Sequence, residues 1–146
     1  MGDNVFVKWD ERYAVGIALI DEQHKQLIDL TDSLYAACRQ GGTFVRNHFG
    51  EVLRATVDYV AFHFSTEEKI MERIRYPDFL AHKREHENFV KKILEDRKNF
   101  EEGKNFVPYG FTHFLKEWIL SHIAVSDKLF VAYIQRRKKS GVLNSP

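Results

Sequence analysis

Four stretches of the chain repeat apolar residues at intervals of three and four, the mark of one buried helix face. In the first, Ile20, His24, Leu27, Ile28, Thr31, Leu34, Tyr35 and Cys38 share a stripe, and Gly41-Gly42 is expected to end it. In the second the stripe runs Phe49, Val52, Leu53, Thr56, Val57, Val60, His63, Glu67, Ile70 and Met71, and Tyr76-Pro77-Asp78 closes it. Pro77 and Asp78 suit the first turn of a third helix. That helix carries Phe79, His82, His86, Phe89, Val90, Ile93 and Phe100 and stops at Gly103. The fourth follows Pro108 with Phe111, Phe114, Leu115, Trp118, Ile119, His122, Ile123, Ser126, Phe130, Val131 and Ile134, and ends before Gly141.

This periodicity predicts helices over about residues 20–39, 47–74, 78–102 and 109–138. Long helices joined by short loops pack antiparallel, so the expected fold is all-α, an up-down-up-down four-helix bundle. The first 19 residues hold Trp9, Tyr13 and Gly16 without a clean period and are expected to form an arm lying on the bundle. A chain of 146 residues suits a single domain, 1–146, able to bury a core without disulfides.

Composition narrows the function. The balance of 22 basic and 21 acidic residues gives a net charge of +1, which offers no electrostatic reason to expect nucleic acid or an anionic membrane as partner. The basic run Arg136 to Lys139 falls at a helix C-terminus, where cations favour the dipole. Cys38 is the single cysteine, which excludes an internal disulfide and suits a reducing compartment. No stretch reaches the roughly 18 apolar residues of a membrane span, and the N-terminus lacks the pattern of a secretory signal. The expected location is the cytoplasm.

What changes the picture is that polar residues occupy core positions. His24, His63, His82, His86 and His122, five of the seven histidines, lie on the apolar stripes. Glu67 follows His63 by four residues, as His86 follows His82, so each pair sits one turn apart on one face. Asp127 follows His122 by five, about 140° beyond a full α-helical turn. His122 and Asp127 are therefore expected to diverge toward different parts of one site. A lone HxxxH or HxxxE is commonly a solvated face, and a lone inward histidine is commonly a hydrogen-bonded core residue. The whole set is different. Burying so many charged groups without compensation costs several kcal/mol for each, comparable with the roughly 5–15 kcal/mol stability of a domain. Metal coordination offsets that cost, because metals take neutral imidazole and ionised carboxylate. Outside the set, His48 and His113 are read as surface residues, Glu68 as solvated and off the site face, and Cys38 as a small core residue.

The stretches DEQHKQL (Asp21 to Leu27), HFSTEE (His63 to Glu68), HKREH (His82 to His86) and HIAVSDK (His122 to Lys128) resemble the hemerythrins, particularly bacterial ones. The family pattern is one histidine on the first helix, then HxxxE, HxxxH and HxxxxD on the next three, and every position is matched in order. The lead-in from Trp9 to His24 is also similar to the family's N-terminal arm, with Ala18 and Leu19 where a proline is usual. The resemblance implies two non-haem irons joined by an oxo or hydroxo bridge. His82, His86 and His122 would complete one iron, His24 and His63 would serve the other, and Glu67 and Asp127 would bridge them. Two six-coordinate irons so ligated keep one position free, which O2 would take. Leu27, Phe64, Trp118, Ile119 and Ile123, beside the ligands, are candidates for an apolar O2 pocket. By spacing alone they would be ordinary core.

The implied function is reversible O2 binding for transport, storage or delivery to an oxygen-consuming enzyme, without catalysis. Alternatives are an O2- or iron-responsive sensor acting in trans, or a di-iron oxidase or peroxidase. The second is disfavoured because ferritin-like oxidases use ExxH pairs and more glutamates, and Ile70 stands where Glu67 would need a histidine. A closed zinc site needs only four ligands.

Overall fold

The computed structural model describes residues 5–39 and 43–139, and among them every regular element is helical. A 3-10 turn, Glu11–Tyr13, precedes α1 (Ala18–Cys38), α2 (Thr43–Ile74) and α3 (Phe79–Glu101). The fourth rod consists of α4 (Pro108–His122), a π-helical turn (Ile123–Asp127) and α5 (Lys128–Lys139), with right-handed helical angles at both junctions. Helix α1 packs on α2 and α4, and α2 packs on α3, as in a four-helix bundle. Gly41-Gly42 and Gly141, expected as helix stops, lie outside the described residues.

Two helices end in the same hydrogen-bonded motif. At the end of α2, the Tyr76 N–H donates to Met71 O and the Arg75 N–H to Glu72 O, with Arg75 left-handed at φ 56°. At the end of α3, the Lys104 N–H donates to Asn99 O and the Gly103 N–H to Phe100 O, with Gly103 at φ 72°. Both are Schellman caps, which satisfy carbonyls the helix leaves over. Only the second uses the residue that takes this conformation without steric cost.

Helix α2 begins one turn before its expected start at Asn47. A tertiary contact holds that turn, since the Arg46 guanidinium donates to Phe100 O at 2.7 Å and lies over the Phe100 ring. The N-terminal arm is tied to α1 by two carboxylates. Asp32 accepts from the N–H groups of Phe6 and Val7, and Asp21 accepts from those of Val15 and Gly16.

The interior is divided. A larger apolar cluster includes Leu27, Leu53, Val60, Phe64, Phe89, Leu115, Ile119 and Ile123. A smaller one holds Ile20, Met71, Ile74, Tyr76, Phe130, Val131 and Ile134. On every rod the polar positions of the sequence pattern fall between the two: His24 between Ile20 and Leu27, for example, and His63 and Glu67 between Val60 and Met71. A buried polar layer thus crosses the bundle.

Candidate metal centre

The polar layer is assembled by helix periodicity. The four-residue steps His63/Glu67 and His82/His86 aim both members of each pair inward, and all four residues are at most 4% exposed. His24 and Asp127 are fully buried.

Asp127 reaches the layer by a route that α-helical spacing does not predict. The expectation that His122 and Asp127 diverge is corrected: His122 Nε2 lies 3.2 Å from Asp127 Oδ1. The π-helical turn brings residues five apart onto one face by widening the backbone between them. The same turn displaces Ser126, placed on the inward stripe by its sequence spacing. Its hydroxyl instead donates to Glu85 Oε1 in an exposed pair.

The seven side chains converge as two sets that share the carboxylates. Glu67, His82, His86, His122 and Asp127 form one, and His24, His63, Glu67 and Asp127 the other. Asp127 presents Oδ1 to His82 and His122 at 3.2 Å each, and Oδ2 to His24 at 3.0 Å. Glu67 presents Oε1 to His86 at 3.4 Å and His82 at 3.7 Å, and Oε2 to His63 at 3.3 Å and His24 at 3.6 Å. Each carboxylate therefore turns one oxygen to imidazoles of the first set and the other to the second: two and two for Glu67, two and one for Asp127.

These atoms suit metal better than one another. Both carboxylate oxygens of Glu67 and of Asp127, both ring nitrogens of His24, and His63 Nε2 are buried without an aligned hydrogen bond. So many orphaned polar atoms in one core would be costly. The Nε2 atoms of His82 and His86 each lie 3.1 Å from that of His122. Nitrogens about 2.1 Å from one metal and at right angles to each other stand about 3.0 Å apart. The donor set thus fits a metal site, in two groups of side chains that share Glu67 and Asp127.

Without metal, the groups neutralise one another as far as they can. Burial opposes the charged form of His24 and His82, but Asp127 and then Glu67 outweigh it and lift both to about 9. His86 is likewise raised, with Glu67 and Glu68 overcoming its burial. Burial pushes the Glu67 and Asp127 carboxyls up, yet the surrounding imidazoles hold both below their usual range.

Three outer residues orient the imidazoles, and sequence reasoning missed their role. His63 Nδ1–H donates to Gln23 Oε1 at 2.6 Å, so Nε2 carries its lone pair inward. His86 Nδ1–H donates to Glu68 Oε2 at 2.8 Å, which corrects the reading of Glu68 as solvated; its side chain is only 23% exposed. Glu85 Oε1 lies 3.2 Å from His122 Nδ1. Periodicity carried a signal for two of them. Gln23 is three residues after Ile20 and four before Leu27, and Glu68 is four after Phe64 and three before Met71. Of the other residues set aside, His113 is exposed and Cys38 half-buried. His48 is half-buried near Glu51.

A cavity of about 10 Å³, at the lower edge of what one water-sized molecule needs, is lined by His24, His63 and Asp127 of the two-imidazole set and by His122 of the other. Leu27, Phe64, Trp118, Ile119 and Ile123 all line it, together with Val60 and Phe89, which the sequence reading did not single out. Phe64 stacks on the His86 ring at 3.7 Å and Trp118 on the His122 ring at 4.5 Å, so the same walls also fix two imidazoles.

Fold and site together define a helical bundle built around a shared histidine–carboxylate cation site. A family profile described as the hemerythrin HHE cation binding domain matches residues 15–134, and the chain belongs to the hemerythrin family. A bacteriohemerythrin of Methylococcus capsulatus is 34% identical over 118 residues, spanning 81% of this chain and 88% of that protein. Another, of Stenotrophomonas maltophilia, is 33% identical over 127 residues, spanning 87% and 80%. The crystal structure of a wild-type hemerythrin aligns with a TM-score of 0.81 at 32% identity, covering 87% of this chain and 96% of that one.

Proposed function

We propose that this chain binds O2 reversibly at a di-iron centre, as a cytoplasmic carrier or store that delivers O2 to an oxygen-consuming enzyme. The observation that supports this most is the sharing of both carboxylates between unequal imidazole sets, with a largely apolar cavity that both imidazoles of the smaller set line and only one of the larger. His82, His86 and His122 would hold one iron and His24 and His63 the other, with Glu67 and Asp127 bridging. Irons held there, with an oxo or hydroxo bridge, would supply the electrons that O2 accepts on binding.

The chain's own residues account for reversibility. Apart from the proposed ligands, the cavity walls are aliphatic or aromatic, and no other acid or base lines them among the described residues. Reduction of O2 beyond binding consumes protons, and these walls supply no acid to deliver them. Leu27, Phe64, Trp118, Ile119 and Ile123 exclude water and so oppose escape of reduced oxygen species. Gln23 and Glu68 hold His63 and His86 in the tautomer that turns Nε2 toward the metal. These features favour a binding protein over an oxidase. No helix among the described residues is long and apolar enough to cross a membrane.

The test is a near-ultraviolet and visible spectrum of iron-loaded, anaerobically reduced protein before O2, after O2 and after argon sparging. Charge-transfer bands that appear with O2 and fade under argon are expected. Bands that persist would point to oxidation and hence to an oxidase or sensor. Absence of bands at two irons per chain would refute O2 binding.

A further inference from the structure

The two halves of the centre differ in what lies behind their imidazoles. Behind the three-imidazole half stand carboxylates: Glu68 accepts from His86 Nδ1 at 2.8 Å, and Glu85 lies 3.2 Å from His122 Nδ1. Behind the two-imidazole half stands a neutral amide, Gln23, whose Oε1 accepts from His63 Nδ1 at 2.6 Å. Gln23 is itself held by a long contact from its Nε2 to Thr66 Oγ1, and His24 Nδ1 is buried with no hydrogen-bond partner.

A hydrogen bond from imidazole N–H to a carboxylate is roughly twice as strong as one to a neutral acceptor. It draws the proton away from the ring and makes the opposite nitrogen a better donor to metal. Glu68 contributes most here, being largely sheltered from solvent, whereas Glu85 is half-exposed and shares its oxygen with the Ser126 hydroxyl. The inequality in ligand number is thus reinforced by an inequality in ligand strength, written into residues that touch no metal.

We infer that Glu68 and Gln23 are positioning residues of opposite effect, which make the two metal positions unequal in affinity. The Glu68 carboxylate strengthens the position formed by His82, His86 and His122. The Gln23 amide leaves the position formed by His24 and His63 the weaker, so that a metal ion is lost from it first. The consequence is an ordered filling of the centre, and a form holding one ion in the three-imidazole half. This rests on the di-iron reading but not on O2 binding.

The experiment is removal of iron from the fully loaded, full-length protein by an excess of a chromogenic iron chelator, under argon. Iron should leave in two phases of equal amplitude. Glu68→Gln keeps an acceptor for His86 while removing its charge, and should speed the slow phase about tenfold while leaving the fast phase unchanged. Gln23→Glu should slow the fast phase by a similar factor, a gain that a damaged fold cannot imitate. Glu72→Gln, an exposed site on the same helix, should change neither. Two irons leaving in one phase, or Glu68→Gln acting on the fast phase, would overturn the inference while leaving the di-iron reading intact. Protein that takes up no iron would overturn both.

Discussion

Replacing Ile119 by Ala tests whether the cavity walls are rigid. Ile119 is 4% exposed and borders the cavity beside His24, His63 and His122. The change deletes three methyl or methylene groups, each worth about 0.8 kcal/mol of burial, or about 2.4 kcal/mol in all. A cavity term adds to this, because neighbours close only partly over lost volume. Here the closing residues include rings stacked on the His86 and His122 imidazoles, so collapse is opposed and the total approaches about 4 kcal/mol. For a chain of this size that lowers Tm by about 12 °C, measured by far-ultraviolet circular dichroism at matched iron loading. The enlarged space also admits water, so oxidation of the O2-bound protein, followed by its visible bands, should be faster. A loss below about 1.5 kcal/mol with an unchanged oxidation rate would refute rigid walls and the shielding role of Ile119.

The remaining predictions concern the ligands, a helix end and pH. His82→Ala should lower iron content and thermal stability together, and full loading with unchanged melting would contradict its role. Arg75→Gly relieves a left-handed residue at the cap of α2 and should stabilise by about 1 kcal/mol, raising Tm by about 3 °C; an unchanged or lower Tm would count against strain there. In metal-free protein, His24 and His82 rise from 6.5 to about 9 on folding. Their contribution to stability is therefore complete below pH 6.5 and lost as pH rises through 9. The depressed carboxyls of Glu67 and Asp127 contribute above their ordinary values and lose this as pH falls. Denaturant titrations should show metal-free stability declining from pH 6.5 to 9.5. Divalent metal added at pH 7.5 should release protons, detectable with an indicator dye, because it displaces them from these two rings.

Much of this was legible because the centre is written in the same period as the helices. His24, His63, Glu67, His82 and His86 each occupy a position where an aliphatic residue would satisfy the stripe, so their inward aim followed from spacing. Asp127 was legible only as a member of the family pattern, since an ideal α-helix turns it away from His122. The backbone had to depart from that ideal, and the local sequence IAVSD carries no glycine or proline to announce it. Glu68 escaped notice for a different reason. Its neighbour Glu67 takes the interior position, but a glutamate is long enough to reach His86 on the adjacent helix from the edge of that face. Reach across helices depends on packing distance, which periodicity does not contain. The earlier start of α2 has the same origin, in a contact between Arg46 and the far end of α3.

The π-helical turn also separates what the fold needs from what the centre needs. Remove one residue from Ile123–Asp127 in a count along the fourth rod, and Asp127 falls four positions after His122. Phe130, Val131 and Ile134 then fall seven, eight and eleven after it. Those are the intervals of an unbroken α-helical stripe. A chain one residue shorter would therefore keep both apolar clusters covered with a plain helix. The extra residue is surplus to the bundle, and its use is local: it opens the backbone where His122 and Asp127 meet the metal site.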